Sequence, residues 1–88
     1  MDDNKISTKG GKNVTIYSTP TCHFCHMAKD FFKENNVEFT DHDVTTDRTA
    51  AEEMVQKSGQ MGVPVIDING EIIVGFDEPR LRTLLEIV

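Results

Sequence analysis

The sequence predicts an α/β fold, a four-stranded mixed sheet with three helices in the chain order β-α-β-α-β-β-α. Three observations carry this expectation. Between residues 14 and 58 the apolar pattern switches twice from strand-like to helix-like; Asn69-Gly70 separates two short apolar runs; and a leucine stripe closes the chain. Val14–Ser18 reads as the first strand and about Cys22–Asn35 as the first helix, with Ala28, Phe31 and Phe32 on its core side. Glu38–Asp43 reads as a second strand. About Arg48–Ser58 reads as a second helix, capped by Asp47, ended by Gly59, and facing inward through Ala51, Met54, Val55 and Ser58. Val65–Ile68 and Glu71–Val74 flank Asn69-Gly70, the dipeptide that best supplies the two positive φ angles of a tight hairpin turn. Asp77 caps a last helix with Pro79 in its first turn and Leu81, Leu84, Leu85 and Val88 along one side. The first two strands then need a right-handed parallel crossover, which places helices on both faces of the sheet.

At 88 residues the chain has volume for one core, so residues 13–88 are expected to form a single domain. Residues 1–12 are polar, carry Gly10-Gly11, and offer only Ile6 as an apolar anchor, which marks them as a flexible leader. A net charge of −6 and a pI near 4.8 leave no basic field for nucleic acid or for anionic membranes. The leader lacks the apolar centre of a signal peptide, and no later stretch has the length of a membrane span. The expected compartment is the cytoplasm.

The only two cysteines form Cys22-His23-Phe24-Cys25, where the first strand gives way to the first helix. In a chain without export signals such a pair reads as a redox dithiol, because a lone structural disulfide would not persist among reduced thiols. Cys22 falls at the helix start, where unpaired backbone N–H groups and the positive end of the dipole favour a thiolate. It is the expected nucleophile. Cys25, one turn on, lies within reach of Cys22 after small adjustment and is expected to be the more buried resolving thiol.

Taken together, Ile16-Tyr17, Thr21-Cys22-His23-Phe24-Cys25-His26, Ser58-Gly59-Gln60-Met61-Gly62-Val63-Pro64-Val65 and Val74-Gly75-Phe76-Asp77 resemble the successive motifs of the glutaredoxin family, whose architecture is the thioredoxin-like fold. The similarity runs over most of Val14–Val88 and is closest to short bacterial and archaeal glutaredoxin-like proteins. It implies a thiol–disulfide oxidoreductase that reduces protein disulfides or glutathione mixed disulfides through Cys22 and Cys25. Glutathione would be its reducing co-substrate, with no cofactor bound. A flavin-dependent thioredoxin reductase is the other electron source the resemblance allows, as in the glutaredoxin-like hydrogen donors of ribonucleotide reductase. By the same resemblance Pro64 is cis and turns the Val63 backbone toward the nucleophile, so that substrate pairs with it as a short strand. Gly75, Phe76 and Asp77 match the segment that holds the γ-glutamyl end of glutathione, although Asp77 as a helix cap needs no ligand to explain it. Thr19 stands where many members carry a lysine for the glycyl carboxylate, which leaves Thr19 and Gln60 as neutral donors. His23 replaces a common proline and restores a backbone N–H, while Phe24 is expected as an apolar contact beside the disulfide.

Cys22-His23-Phe24-Cys25-His26 also satisfies the haem c attachment pattern, but that modification normally follows export. Zinc is disfavoured, since one helical turn cannot surround a tetrahedral ion. A glutathione-assisted iron–sulfur cluster shared across a dimer, with Cys22 as the protein ligand, is the alternative of another class.

Overall fold

The computed structural model describes residues 13–87. The expected leader and Val88 lie outside them. Seven elements follow in the expected order: β1 Val14–Ser18, α1 His23–Glu34, β2 Thr40–Asp43, α2 Arg48–Ser58, β3 Val65–Ile68, β4 Glu71–Val74 and α3 Glu78–Leu85. The sheet order is β2-β1-β3-β4. β1 pairs in parallel with β2 and antiparallel with β3, which pairs antiparallel with β4.

Strand alternation distributes the core over two faces. Val14, Ile16, Ile66, Ile68 and Ile73 point to one side, where Ala28, Phe31 and Phe32 of α1 and Leu81 and Leu85 of α3 cover them. Tyr17 and Val65 point to the other, under Ala50 and Met54 of α2. Central β1 is therefore apolar on both faces, whereas β2, Thr-Asp-His-Asp, is a polar edge whose charges discourage pairing with further strands.

Three expectations need correction. The first helix ends at Glu34 because Asn36 adopts φ 59°, so that the Val37 N–H reaches the Phe32 carbonyl at 2.8 Å and the Asn36 N–H the Lys33 carbonyl at 3.2 Å. This hydrogen-bonded end turns Val37 into the core. The second strand accordingly starts at Thr40 rather than Glu38, while Phe39 packs its ring 5.3 Å from that of Phe32. On α2 the buried stripe is Ala50 and Met54; Val55 is exposed and Ala51 half-buried, one position away from the face read from the sequence. Asp47, whose carboxylate accepts the Ala50 N–H at 3.0 Å, fixes the start of the helix, and packing on Tyr17 and Val65 selects its inward face. Lys57 secures the far end of α2 by donating to the Tyr17 hydroxyl at 2.9 Å and to Asp67 at 2.8 Å.

The hairpin turn is as expected, with φ 52° at Asn69 and 95° at Gly70. In α3 Leu84 is half-buried against the core and the helix stops at Leu85. No helix among the described residues is long and apolar enough to cross a membrane.

Candidate active site

β1 ends at Ser18, and the chain turns through Thr19, Pro20 and Thr21 before α1 begins. Cys22 is the N-cap of α1, with extended backbone angles and a half-buried side chain. Its Sγ accepts the backbone N–H of Cys25 at 3.1 Å, the bond that a serine or aspartate oxygen makes in an ordinary cap. A thiolate there would receive a directed N–H at the positive end of the helix dipole. Cys25, on the inward face of α1, is fully buried. Burial, followed by its hydrogen bond with Cys22, pushes the Cys25 thiol up to about 12. Both thiols are free in the structure.

The second wall is the loop between α2 and β3. Val63–Pro64 is a cis peptide, as the family resemblance implies. The Cys22 thiol points at the Val63 carbonyl across 3.9 Å, bringing the Cys22 and Val63 motifs together. Pro64 is buried, and its carbonyl accepts the Gly75 N–H at 2.8 Å, so the third motif is joined to the second. Gly75 has φ 88°, a conformation that a Cβ would strain.

The remaining expected site residues divide by what their polar atoms already do. Asp77 caps α3 through the Arg80 N–H at 3.3 Å. Phe76 is half-buried, its ring 5.9 Å from that of Phe31 in an edge-to-face contact. The Gln60 amide is consumed within its own loop: Nε2 donates to Ser58 Oγ at 3.1 Å and to the Gly62 carbonyl at 3.0 Å, and Oε1 accepts the Gly62 N–H at 2.6 Å. Gln60 thus shapes the approach to Val63 with both its side-chain N–H groups engaged. Thr19 is half-buried, and its carbonyl accepts the Cys22 N–H at 3.4 Å. His23 and Phe24 are exposed with their rings 5.5 Å apart, and Phe24 leaves an apolar surface two residues from Cys22. No group of three or more His, Cys, Asp or Glu side chains among the described residues is gathered as a metal site would require.

The family model described as Glutaredoxin matches residues 14–73. The chain belongs to the glutaredoxin family. A glutaredoxin-like 8.6 kDa protein from the rubredoxin operon of Clostridium pasteurianum is 47% identical over 73 residues, spanning 83% of this chain and 97% of the relative. Glutaredoxin 3 of Escherichia coli is 36% identical over 66 residues, 75% of this chain and 80% of the relative. Among solved structures, a thioredoxin-like protein superposes with a TM-score of 0.82 at 32% identity, covering 86% of this chain and 97% of that one. The glutaredoxin-like NrdH-redoxin of Escherichia coli, described as having a thioredoxin-like activity profile, gives 0.74 at 25% identity over 82% of this chain and 93% of that one. The fold is thus thioredoxin-like, and the protein is a glutaredoxin-type redox protein with a C-x-x-C pair.

Around this glutaredoxin dithiol lie two sets of contacts that the sequence did not assign. His26 Nε2 lies 2.7 Å from the Pro20 carbonyl, tying the approach loop to the second turn of α1. Lys29 donates to Asp41 at 2.8 Å and to the buried Ser18 at 3.4 Å. Their only sequence signals were a histidine four residues after Cys22 and a lysine four residues after Cys25, the spacing of one helix face.

Proposed function

We propose that this protein is a dithiol thiol–disulfide oxidoreductase that reduces protein disulfides or glutathione mixed disulfides, with Cys22 as nucleophile and Cys25 as resolving thiol. The observation that carries the proposal is the asymmetry of the pair: Cys22 caps the helix facing the Val63 carbonyl, and Cys25 is sealed beneath it. The Cys22 thiolate attacks one sulfur of the substrate disulfide, forming a Cys22–substrate disulfide and expelling the other sulfur as a thiolate. Cys25 then gives up its proton and attacks Cys22 Sγ; the Cys22–Cys25 disulfide forms and the second substrate thiolate leaves. Two electrons pass to the substrate, and the two thiolates take protons from solvent. The Val63 backbone supplies the edge on which an extended substrate segment pairs, with Pro64 fixing the turn.

Glutathione is the proposed reductant of the resulting disulfide, in keeping with the family match. A second reading, reduction by a thioredoxin reductase in the manner of hydrogen donors to ribonucleotide reductase, is favoured by Thr19 in place of a cation and by the likeness to a protein with a thioredoxin-like activity profile. Turnover of one disulfide substrate driven in parallel by glutathione with glutathione reductase, and by thioredoxin reductase, separates the two. Loss of turnover with both reductants would reject the oxidoreductase reading, as would full activity in Cys22→Ser.

A further inference from the structure

The resolving step asks Cys25 to become a thiolate at a position where burial opposes charge. No acidic or basic side chain belongs to the pair itself, so whatever eases that ionisation comes from its surroundings. Lys29 is one helical turn beyond Cys25 on the same face of α1, and its side chain is only 17% exposed. It does not wander. Its ammonium is held by Asp41 Oδ2 at 2.8 Å and Ser18 Oγ at 3.4 Å, and Ser18 in turn donates to Asp41 Oδ1 at 2.7 Å. Ser18 is the last residue of β1, immediately before the loop that carries the thiols. Burial of Asp41 works against its charge, yet the hydrogen bonds from Lys29 and Ser18 outweigh it and hold the carboxyl below its ordinary value. The ion pair therefore persists through the neutral range.

The geometry points to Lys29 as a positioning residue for the resolving step: its ammonium, fixed by Asp41 and Ser18, favours the thiolate that Cys25 must become when it attacks the Cys22 mixed disulfide. Burial and the hydrogen bond with Cys22 push the Cys25 thiol up, and against them act the Thr19 backbone hydrogen bond and, after it, the charge of Lys29. The chemistry is the second half of the reaction proposed above, on which this inference rests. Cys25 S–H loses its proton to solvent, the Cys25–Cys22 bond forms, and the bond from Cys22 to the substrate sulfur breaks with departure of a thiolate. Lys29 neither gains nor loses a proton. It acts on the second step and not the first, because only the second requires Cys25 to ionise.

A symmetrical aromatic disulfide whose released thiolate absorbs in the visible reports both steps in one stopped-flow trace. Attack by Cys22 releases the first equivalent and resolution by Cys25 the second. In Lys29→Met the second phase is expected to slow by about 3- to 10-fold, the scale of one screened charge beside an ionising group, with the first phase unchanged. Lys29→Arg restores it. The double variant Lys29→Met/Asp41→Asn remains slow if the missing cation is the cause; recovery there would assign the effect to a stranded carboxylate and overturn the inference. An unchanged second phase in Lys29→Met, or equal slowing of both phases, would overturn it too. Absence of the first phase in the wild-type protein would instead reject the proposed function itself.

Discussion

The thiol of Cys22 points at the carbonyl oxygen of Val63 across 3.9 Å, although 41 positions separate the two residues in the chain. The contact sets that sulfur beside the Val63–Pro64 peptide, the cis bond among the described residues. In the proposed function substrate recognition and chemistry share this edge, so changes on either side of it have separable consequences.

Iodoacetamide is expected to modify Cys22 well before Cys25 in the reduced protein. Cys22 is half-buried at a helix terminus, whereas Cys25 is fully buried and keeps its proton up to about 12. Peptide mapping of partially alkylated protein checks the order; first modification at Cys25 would reverse the proposed roles.

The same burial makes the reduced state sensitive to alkali. The Cys25 thiol is raised from 9.0 to about 12 on folding, so the unfolded chain releases its proton first. The stabilisation is complete below pH 9.0 and is lost as pH rises toward about 12. Urea midpoints measured upward from neutrality should fall more steeply for the reduced wild type than for Cys25→Ala. Parallel slopes would remove Cys25 as the cause.

Cys25→Ser is expected to stop protein-disulfide reduction at a Cys22 mixed disulfide while preserving part of the deglutathionylation activity, in which glutathione itself resolves the intermediate. Mass spectrometry of the trapped adduct and a parallel activity assay test this. Full retention of both activities would show that Cys25 is not the resolver.

Asp77 caps α3 by accepting the Arg80 N–H at 3.3 Å, so Asp77→Ala should lower stability by about 0.5–2 kcal/mol. Asp77→Asn preserves an accepting oxygen and should unfold close to wild type. If the carboxylate also serves glutathione, the asparagine variant raises the KM for glutathione despite its intact cap. An unchanged KM would leave Asp77 with a structural role alone.

Thr19→Lys supplies the cation that many glutaredoxins carry at this position. Tighter glutathione binding by about 0.2–1 kcal/mol, the range of exposed ion pairs, is expected as a salt-sensitive fall in KM. Initial rates across glutathione concentrations at low and high ionic strength check it. No change in KM, with thioredoxin reductase driving turnover in both proteins, would discard the glutathione groove.

Local chemistry made much of this molecule legible without coordinates. Asp47 and Asp77 announce helix starts because a short carboxylate satisfies free N–H groups, and Asn69-Gly70 announces a hairpin because few other pairs accept two positive φ angles. Cys22-His23-Phe24-Cys25 at a strand-to-helix junction places one sulfur as the cap and the other one turn inside, whatever the rest of the chain does. Tertiary structure decided the remainder. Rotation of α2 by one position onto Ala50 and Met54 depends on what lies beneath it, Tyr17 and Val65, which no periodicity within the helix records. The second strand read from Glu38 starts only at Thr40, because Val37 and Phe39 are packed at the end of α1 and against the Phe32 ring. Gln60 read as a free donor and proved bonded within its loop, because a side chain's partners depend on the path of the backbone around it. The Lys29, Asp41 and Ser18 network brings α1, β2 and β1 to one point behind the dithiol, a convergence of distant segments that only the folded sheet creates.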